Sequence, residues 1–379
     1  MTFPLSPEAA TQAVIWGGLP LGGALGAVAQ STRFCTMGAL SDWFTYGGTA
    51  RLMMWLLAIA VAATGSIGLI EVGWLDASQA VAWSARFLWL SYLVGGLLFG
   101  YGMVLASGCP QRSLVKAGAG NLKAWVTLLV AAVVSQMTLR GLFAVPRVEW
   151  LDAVSLTLAG PQDFGSMLAR AWPFGAPLAA GSVRLLVLAV LLLAAAALLW
   201  RQRAMLDLGH WVGGALVGLL VPLAWALTGH VGFFAEHPDT LEPAWLGTAS
   251  HRPEALTFAA PLAHSLDLLT LWSDRNLGVT FGVTLTLGVL LGSAVAALWR
   301  REFRIESFRD SRDLGDHLLG GVLMGFGGVT AMGCSIGQGL TGIALLSTGA
   351  VLALAGIVAG TWLALGLQSR RLDAELARA

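Results

Sequence analysis

The sequence predicts an all-α polytopic integral membrane protein of about nine transmembrane helices, with short re-entrant half-helices and an inverted internal repeat. Three observations carry this. Of 379 residues, 56% are hydrophobic and 11% charged, whereas soluble domains carry about 25% charged residues; mean hydropathy is +0.75. Apolar runs recur at the ~20-residue length that a bilayer-crossing helix requires. The only three cysteines, Cys35, Cys109 and Cys334, stand at the same point of a repeated glycine pattern. The lipid bilayer is therefore an expected partner. With 22 basic against 21 acidic residues, nucleic acid is not. No cleavable signal peptide is expected, because Met1 to Ala10 lacks a basic region and runs directly into a span. An odd cysteine count in apolar context argues against a disulfide framework.

Taken in order, spans are expected at Ala10–Gln30, Leu52–Gly73, Phe87–Ala106, Ala124–Val145, Val183–Trp200, Leu208–Thr228, Leu277–Trp299, His317–Thr330 and Val351–Gly366. Thr36–Tyr46, Pro110–Gly120 and Ser335–Ser347 are too polar or glycine-rich to cross a bilayer and too apolar for ordinary loops. They read as re-entrant half-helices, which are tolerated at membrane depth where protein or a wet cavity surrounds them. The chain reads as one membrane domain over 1–379, with repeat halves of roughly 10–145 and 183–366.

Basic residues mark cytoplasmic loops. Arg300, Arg301, Arg304, Arg309 and Arg312 form one group, Arg201 and Arg203 another, Arg112, Lys116 and Lys123 a third, and Arg370, Arg371 and Arg378 the tail. With nine spans all four groups are cytoplasmic. The N-terminus and the long segments Pro146–Ser182 and Gly229–Asn276 are then outside.

The repeat is read from its glycines. Gly22 and Gly26 stand thirteen and nine residues before Cys35, as Gly96 and Gly100 do before Cys109 and Gly321 and Gly325 before Cys334. A fourth copy, Gly214 and Gly218, has Leu227 at the cysteine position. Cys35 and Cys109 fall at cytoplasmic span ends and Cys334 at an external end, the arrangement an inverted repeat produces. Glycine pairs alone often mean only close helix packing; the shared cysteine register is the additional signal.

Pro110 favours the first helical position, which makes Cys109 the N-cap of a half-helix; Cys35 and Cys334 stand equally at half-helix starts. Helix N-termini attract anions, so three sulfurs at three such ends predict a path for a sulfur-rich anion. A single cysteine is more often a small buried hydrophobe. Arg33, Arg112 and Lys116 supply positive charge, and Gln111 and Gln338 supply N–H donors. His230, His237, His251 and His264 match no metal-ligand spacing, and neither a metal nor a cofactor is expected. Trp74, Trp83, Trp150, Trp172, Trp245 and Trp272 read as an interfacial aromatic belt.

The runs Arg33-Phe34-Cys35-Thr36-Met37-Gly38-Ala39, Ala106-Ser107-Gly108-Cys109-Pro110 and Ala331-Met332-Gly333-Cys334-Ser335-Ile336-Gly337-Gln338-Gly339 resemble the signature segments of the YeeE/YedE family of inner-membrane sulfur transporters, which includes thiosulfate importers. The resemblance extends from Val14 to Gly366. It implies nine spans, an hourglass shape, and thiosulfate or a related small sulfur anion passing Cys35, Cys109 and Cys334. Gln111, Arg112, Gln338, Gly108 and Gly333 complete the expected substrate-binding set. It also implies a TusA-like cytoplasmic sulfur carrier as a partner. The long segments Pro146–Ser182 and Gly229–Asn276 depart from the family pattern, as spacers or as adaptations to another substrate. A transporter, not an enzyme, is expected. The alternatives are a transporter of selenium or another sulfur compound, and a membrane sulfurtransferase in which Cys109 attacks the sulfane sulfur and carries a persulfide.

Overall fold

The computed structural model describes residues 6–171, 179–236, 242–275 and 277–376. Trp172, His237, Asn276 and Arg378 lie outside them. The helices are α1 (Pro7–Thr32), α2 (Thr36–Tyr46), α3 (Ala50–Glu71), α4 (Trp89–Leu105), α5 (Pro110–Gly118), α6 (Leu122–Arg140), a single turn α7 (Ala144–Pro146), α8 (Phe164–Ala171), α9 (Ala180–Gln202), α10 (Leu208–Ala226), α11 (Ala259–Thr270), α12 (Phe281–Trp299), α13 (Ser311–Thr330) and α14 (Thr348–Leu376). Among the described residues, strands form only two-residue antiparallel pairs, β1 (Arg86–Phe87) with β2 (Leu156–Thr157) and β3 (Phe233–Phe234) with β4 (Ala244–Trp245).

Eight helical segments among the described residues are long and apolar enough to cross a membrane, so the protein is an all-α polytopic membrane protein. The short ninth span expected at His317–Thr330 belongs to α13, which begins earlier, at Ser311. Asp310 caps it, accepting from the Asp313 amide at 2.7 Å. Arg312, Asp313 and Asp316 make its first turns polar, and its apolar run starts only at Leu318.

The helices pack in reciprocal pairs, with the repeat glycines at every contact. A β-carbon on Gly22 or Gly26 of α1 would lie 2.1 Å or 2.2 Å from the carbonyls of Leu285 and Val289 in α12. On Gly214 or Gly218 of α10 it would lie 2.7 Å or 2.5 Å from those of Met54 and Ala58 in α3. Thus α1 meets the second helix after α10, and α10 meets the second helix after α1. The second pair repeats the exchange: Gly96 and Gly100 of α4 touch Ala353 and Ile357 in α14, and Gly321 and Gly325 of α13 touch Thr127 and Ala131 in α6. Backbones at this separation leave no room for a side chain. α4 and α13 also pack on each other, Gly95 against Gly327 and Gly102 against Gly320.

The long connections are built into this core. Gln162 and Asp163 are fully buried; the Gln162 carbonyl accepts from the Thr348 amide at 3.0 Å, and the Phe164 amide donates to Leu346 at 3.0 Å. Asp163 pairs with Arg184 at 3.3 Å, and the Arg184 guanidinium stacks over Trp83 at 4.4 Å. Trp83 donates to the Leu345 carbonyl at 2.9 Å. The segment after α6 is therefore a strap across the start of α14 rather than a spacer. Trp83 and Trp245, expected in an aromatic belt, are buried inside the protein; Trp74, Trp150 and Trp272 are exposed.

Candidate functional site

Three turns of one construction carry the cysteines. In each, a long helix ends, a non-glycine residue takes the left-handed conformation, and the chain re-enters a helix two residues later at the cysteine. The left-handed residues are Arg33 (φ 55°), Ser107 (φ 55°) and Met332 (φ 58°), each two positions before Cys35, Cys109 or Cys334. Such backbone costs about 1–3 kcal/mol per residue and collects at functional sites. Cys35 is extended (φ −160°, ψ 125°) and caps α2, its Sγ accepting from the Gly38 amide at 3.3 Å. Cys334 caps a half-helix over 335–344, accepting from the Gly337 amide at 3.4 Å; the middle of this half-helix, Gly337–Gly342, is π-wound. Cys109 heads α5 with Pro110 at its first position, and its thiol makes no capping bond.

All three thiols are free and buried, with exposures of 7%, 0% and 0% in chain order. Cys109 is near enough to Cys35, Cys334 and Ser335 for each to act on its thiol. Around them stand polar side chains that have no partner: Thr36 Oγ1, Gln111 Nε2 and Oε1, and Ser335 Oγ are all buried without a hydrogen bond. Each is within two residues of a cysteine. Leaving a buried polar group unpaired costs about 1–3 kcal/mol, and here four such atoms are gathered beside the three thiols. Of these, Gln111 was legible in the sequence. Thr36 and Ser335 were not, although a polar residue directly after the cysteine in two copies of the repeat was the available signal.

The other expected residues hold the turns. Gln338 donates to the Ala331 carbonyl at 2.6 Å, so one of its two amide hydrogens is already engaged within the turn. Gly333 lets it lie there, since a β-carbon would sit 3.2 Å from Gln338 Cγ. Gly108 serves Arg112 alike, at 3.2 Å from Arg112 Cγ, and Arg112 donates to the Ala29 carbonyl at 3.3 Å. Phe34, at the position of these glycines, stacks on Trp55 with centroids 4.8 Å apart.

Cavities open on both sides of the thiols. One of about 390 Å³ is walled by Tyr92, Trp225, Glu254, His264, Gly333 and Gln338. A second, of about 500 Å³, is walled by Gln30, Arg33, Arg112, Arg301, Glu302 and Arg304. A third, of about 270 Å³, includes Ser107, Lys116, Lys123, Asp313 and His317. The first takes Thr280 and Gly282 from the start of α12 and Gly328 and Val329 from the end of α13. The others take residues beyond the end of α12 and in the first turns of α13. They therefore lie at opposite ends of α12, a helix about 28 Å long at 1.5 Å per residue over its 19 residues. Cys334 follows the wall of the first cavity, whereas Cys35 and Cys109 adjoin the cationic ones.

In the first cavity, Glu254 accepts from the Ser250 amide at 3.0 Å and hydroxyl at 2.6 Å. Burial raises its pKa above the usual carboxylate range, opposed by those bonds and by His251. His264 is pushed down, by burial first and then by Arg140. Among the described residues no group of three or more His, Cys, Asp or Glu side chains is arranged to hold a metal.

The profile of the family described as "Sulphur transport" matches residues 31–363, a range that contains all three cysteine turns. The chain belongs to that family, YeeE/YedE. This member is 30% identical over 364 residues to the thiosulfate transporter TsuA of Escherichia coli K12, covering 93% of this chain and 94% of the relative. It is 25% identical over 365 residues to TsuA of Spirochaeta thermophila, covering 92% and 97%. Its match to the probable transporter YedE of Escherichia coli K12 is confined to 100 residues at 27% identity, 26% of this chain and 23% of the relative.

Proposed function

We propose that this protein imports thiosulfate across the inner membrane, passing the dianion from Cys334 to Cys109 and Cys35. One observation carries the reading: three buried thiols heading half-helices, ringed by the unpartnered Thr36, Gln111 and Ser335, stand between two cavities at opposite ends of α12. The likeness to relatives named thiosulfate transporters supports the substrate. The exchange of partners between α1 and α10, and between α4 and α13, supports an inverted repeat with halves of roughly 10–145 and 183–366. The arginine-lined end is read as cytoplasmic, with the N-terminus outside and the C-terminus inside.

The substrate matches the lining. Its sulfane sulfur accepts weak S–H···S contacts from neutral thiols, and its oxygens accept N–H and O–H donors. Several weak sites in sequence permit both entry and exit. An inside-negative potential opposes an inward dianion by about 4.6 kcal/mol per 100 mV, so uptake requires steep consumption inside or a coupled cation. A cytoplasmic sulfur carrier of the TusA-like kind would provide that consumption.

The test is uptake of sulfane-labelled thiosulfate into proteoliposomes, with Cys109→Ser and Cys334→Ser alongside. Intact label accumulating inside, and lost in the variants, is the expected result. Label retained on the protein with sulfite released would make it a sulfurtransferase instead.

A further inference from the structure

The cavity between Arg33, Arg112, Arg301 and Arg304 adjoins the turns of Cys35 and Cys109, but no thiol lines it. Four guanidinium groups and one carboxylate line about 500 Å³. The carboxylate, Glu302, is already engaged by groups other than these four arginines: Arg300 Nε lies 3.3 Å from one oxygen and Gln30 Nε2 donates to the other at 3.1 Å. Arg33, Arg301 and Arg304 have no carboxylate within ion-pair distance among the described residues, and Arg112 bonds only the Ala29 carbonyl. Four cations thus share one space with no anion assigned to them.

The backbone that carries these arginines is also held in place. Arg33 is the left-handed residue of the Cys35 turn, and Arg301 is left-handed too, at φ 57°. The loop carrying Arg301 and Arg304 is registered on the turn between α5 and α6: the Arg304 amide donates to Ala119 at 3.1 Å, and the Leu122 amide donates to Glu306 at 2.9 Å. Asn121 Nδ2 donates to the Glu306 carboxylate at 2.6 Å. Gly120 is required there, because a β-carbon would lie 2.5 Å from the Arg304 carbonyl. A basic loop clamped to the half-helix that Cys109 heads presents guanidiniums to whatever leaves the thiols.

We propose that this cavity is a second anion-binding site, which holds a tetrahedral oxyanion through its oxygens at the discharge end of the path. Guanidinium forks match such oxygens bidentately, and a cleft of one charge concentrates counter-ions. The inference rests on the transport reading for its place in the path. It also divides the labour of recognition: the thiols read the sulfane sulfur, and the arginines read only charge and oxygen geometry. Sulfate, which has no sulfane sulfur, therefore binds here and not at the cysteines.

The experiment is calorimetric titration of sulfate into the full-length purified protein, comparing wild type, an Arg301→Gln/Arg304→Gln double variant and Cys334→Ser. Wild type and Cys334→Ser are expected to bind sulfate equally. The double variant is expected to bind at least tenfold more weakly while keeping its elution volume and thermal midpoint. Arg304→Lys, which keeps the charge but loses the fork, is expected to fall between them. Sulfate binding unchanged in the double variant, or absent in wild type, overturns the proposal. Lipid phosphate offers the same chemistry, so the titration is repeated in phosphatidylcholine nanodiscs with and without phosphatidylglycerol. Binding abolished by phosphatidylglycerol would assign the cavity to a lipid headgroup and overturn the free-anion site. Failure of thiosulfate uptake in proteoliposomes with sulfate binding intact would instead remove the transport reading and leave the site.

Discussion

Three of the four glycine-marked helices break before the cysteine position; the fourth does not, and the two kinds of turn differ in every respect that bears on a ligand. α10 runs through Leu227 (φ −66°, ψ −51°) into the π-wound segment Leu227–Val231 without a left-handed residue. Its next residue, Thr228, corresponds to Thr36 and Ser335 but is fully bonded. The Thr228 hydroxyl donates to the Glu254 carbonyl at 2.5 Å, with the Ala224 carbonyl as an alternative acceptor at 3.0 Å, and accepts from the Glu254 amide at 3.2 Å. Leu227 fills the space beside Gly17, 2.5 Å from where a β-carbon would be. The same repeat is thus open where it carries sulfur and sealed where it does not. Within this repeat, the left-handed residue accompanies the cysteine and is missing from the copy without one.

Converting an open turn to the sealed kind gives the largest effect. Cys109→Leu places the fourth copy's residue beside the other two thiols, and uptake should fall at least a hundredfold while the protein remains monodisperse on size exclusion. Next comes the strap that holds the end of the Cys334 half-helix. Asp163→Asn leaves the buried Arg184 without its nearer carboxylate and should cost about 3 kcal/mol, read as an earlier thermal unfolding midpoint in detergent.

The hydroxyls after the break provide a crossed test. Ser335→Ala removes a group with no partner and should leave the unfolding midpoint unchanged while lowering uptake severalfold. Thr228→Ala removes bonded oxygen and should cost about 1 kcal/mol with uptake unchanged. The reverse pattern would end the distinction between open and sealed turns. The smallest effect concerns pH. Glu254 joins the sealed turn to the first cavity, and its raised pKa means that falling pH neutralises it before an ordinary glutamate. A carboxylate repels an incoming dianion, so uptake should rise as external pH falls through that range, with His264 remaining neutral because its pKa is lowered. Glu254→Gln should flatten the profile.

Local chemistry made much of this legible in the chain. α2 begins and ends at the expected Thr36 and Tyr46, because a cysteine cap and the left-handed Gly47 are local signals. α5 starts at Pro110 for the same kind of reason. The cysteine register was legible because duplication preserves spacing. Long-range contacts were not. Nothing in Gln162-Asp163 announces burial against α14, and Trp83 and Trp245 look like belt residues until the strap and the β3–β4 pair cover them. Gln338 read as a free donor because its acceptor, Ala331, becomes available only when Met332 turns left-handed.

By itself, then, the sequence determined that this is a polytopic membrane protein, where most of its long apolar helices fall, and that three cysteines share one structural role; hydropathy, capping and spacing act within a few residues along the chain. Only the tertiary structure decided which helices pair, which hydroxyls are left without partners, and that the arginines of the loop after α12 converge with Arg33 and Arg112. Those outcomes depend on backbones meeting at glycines far apart in the chain, where a single β-carbon would have forbidden the contact.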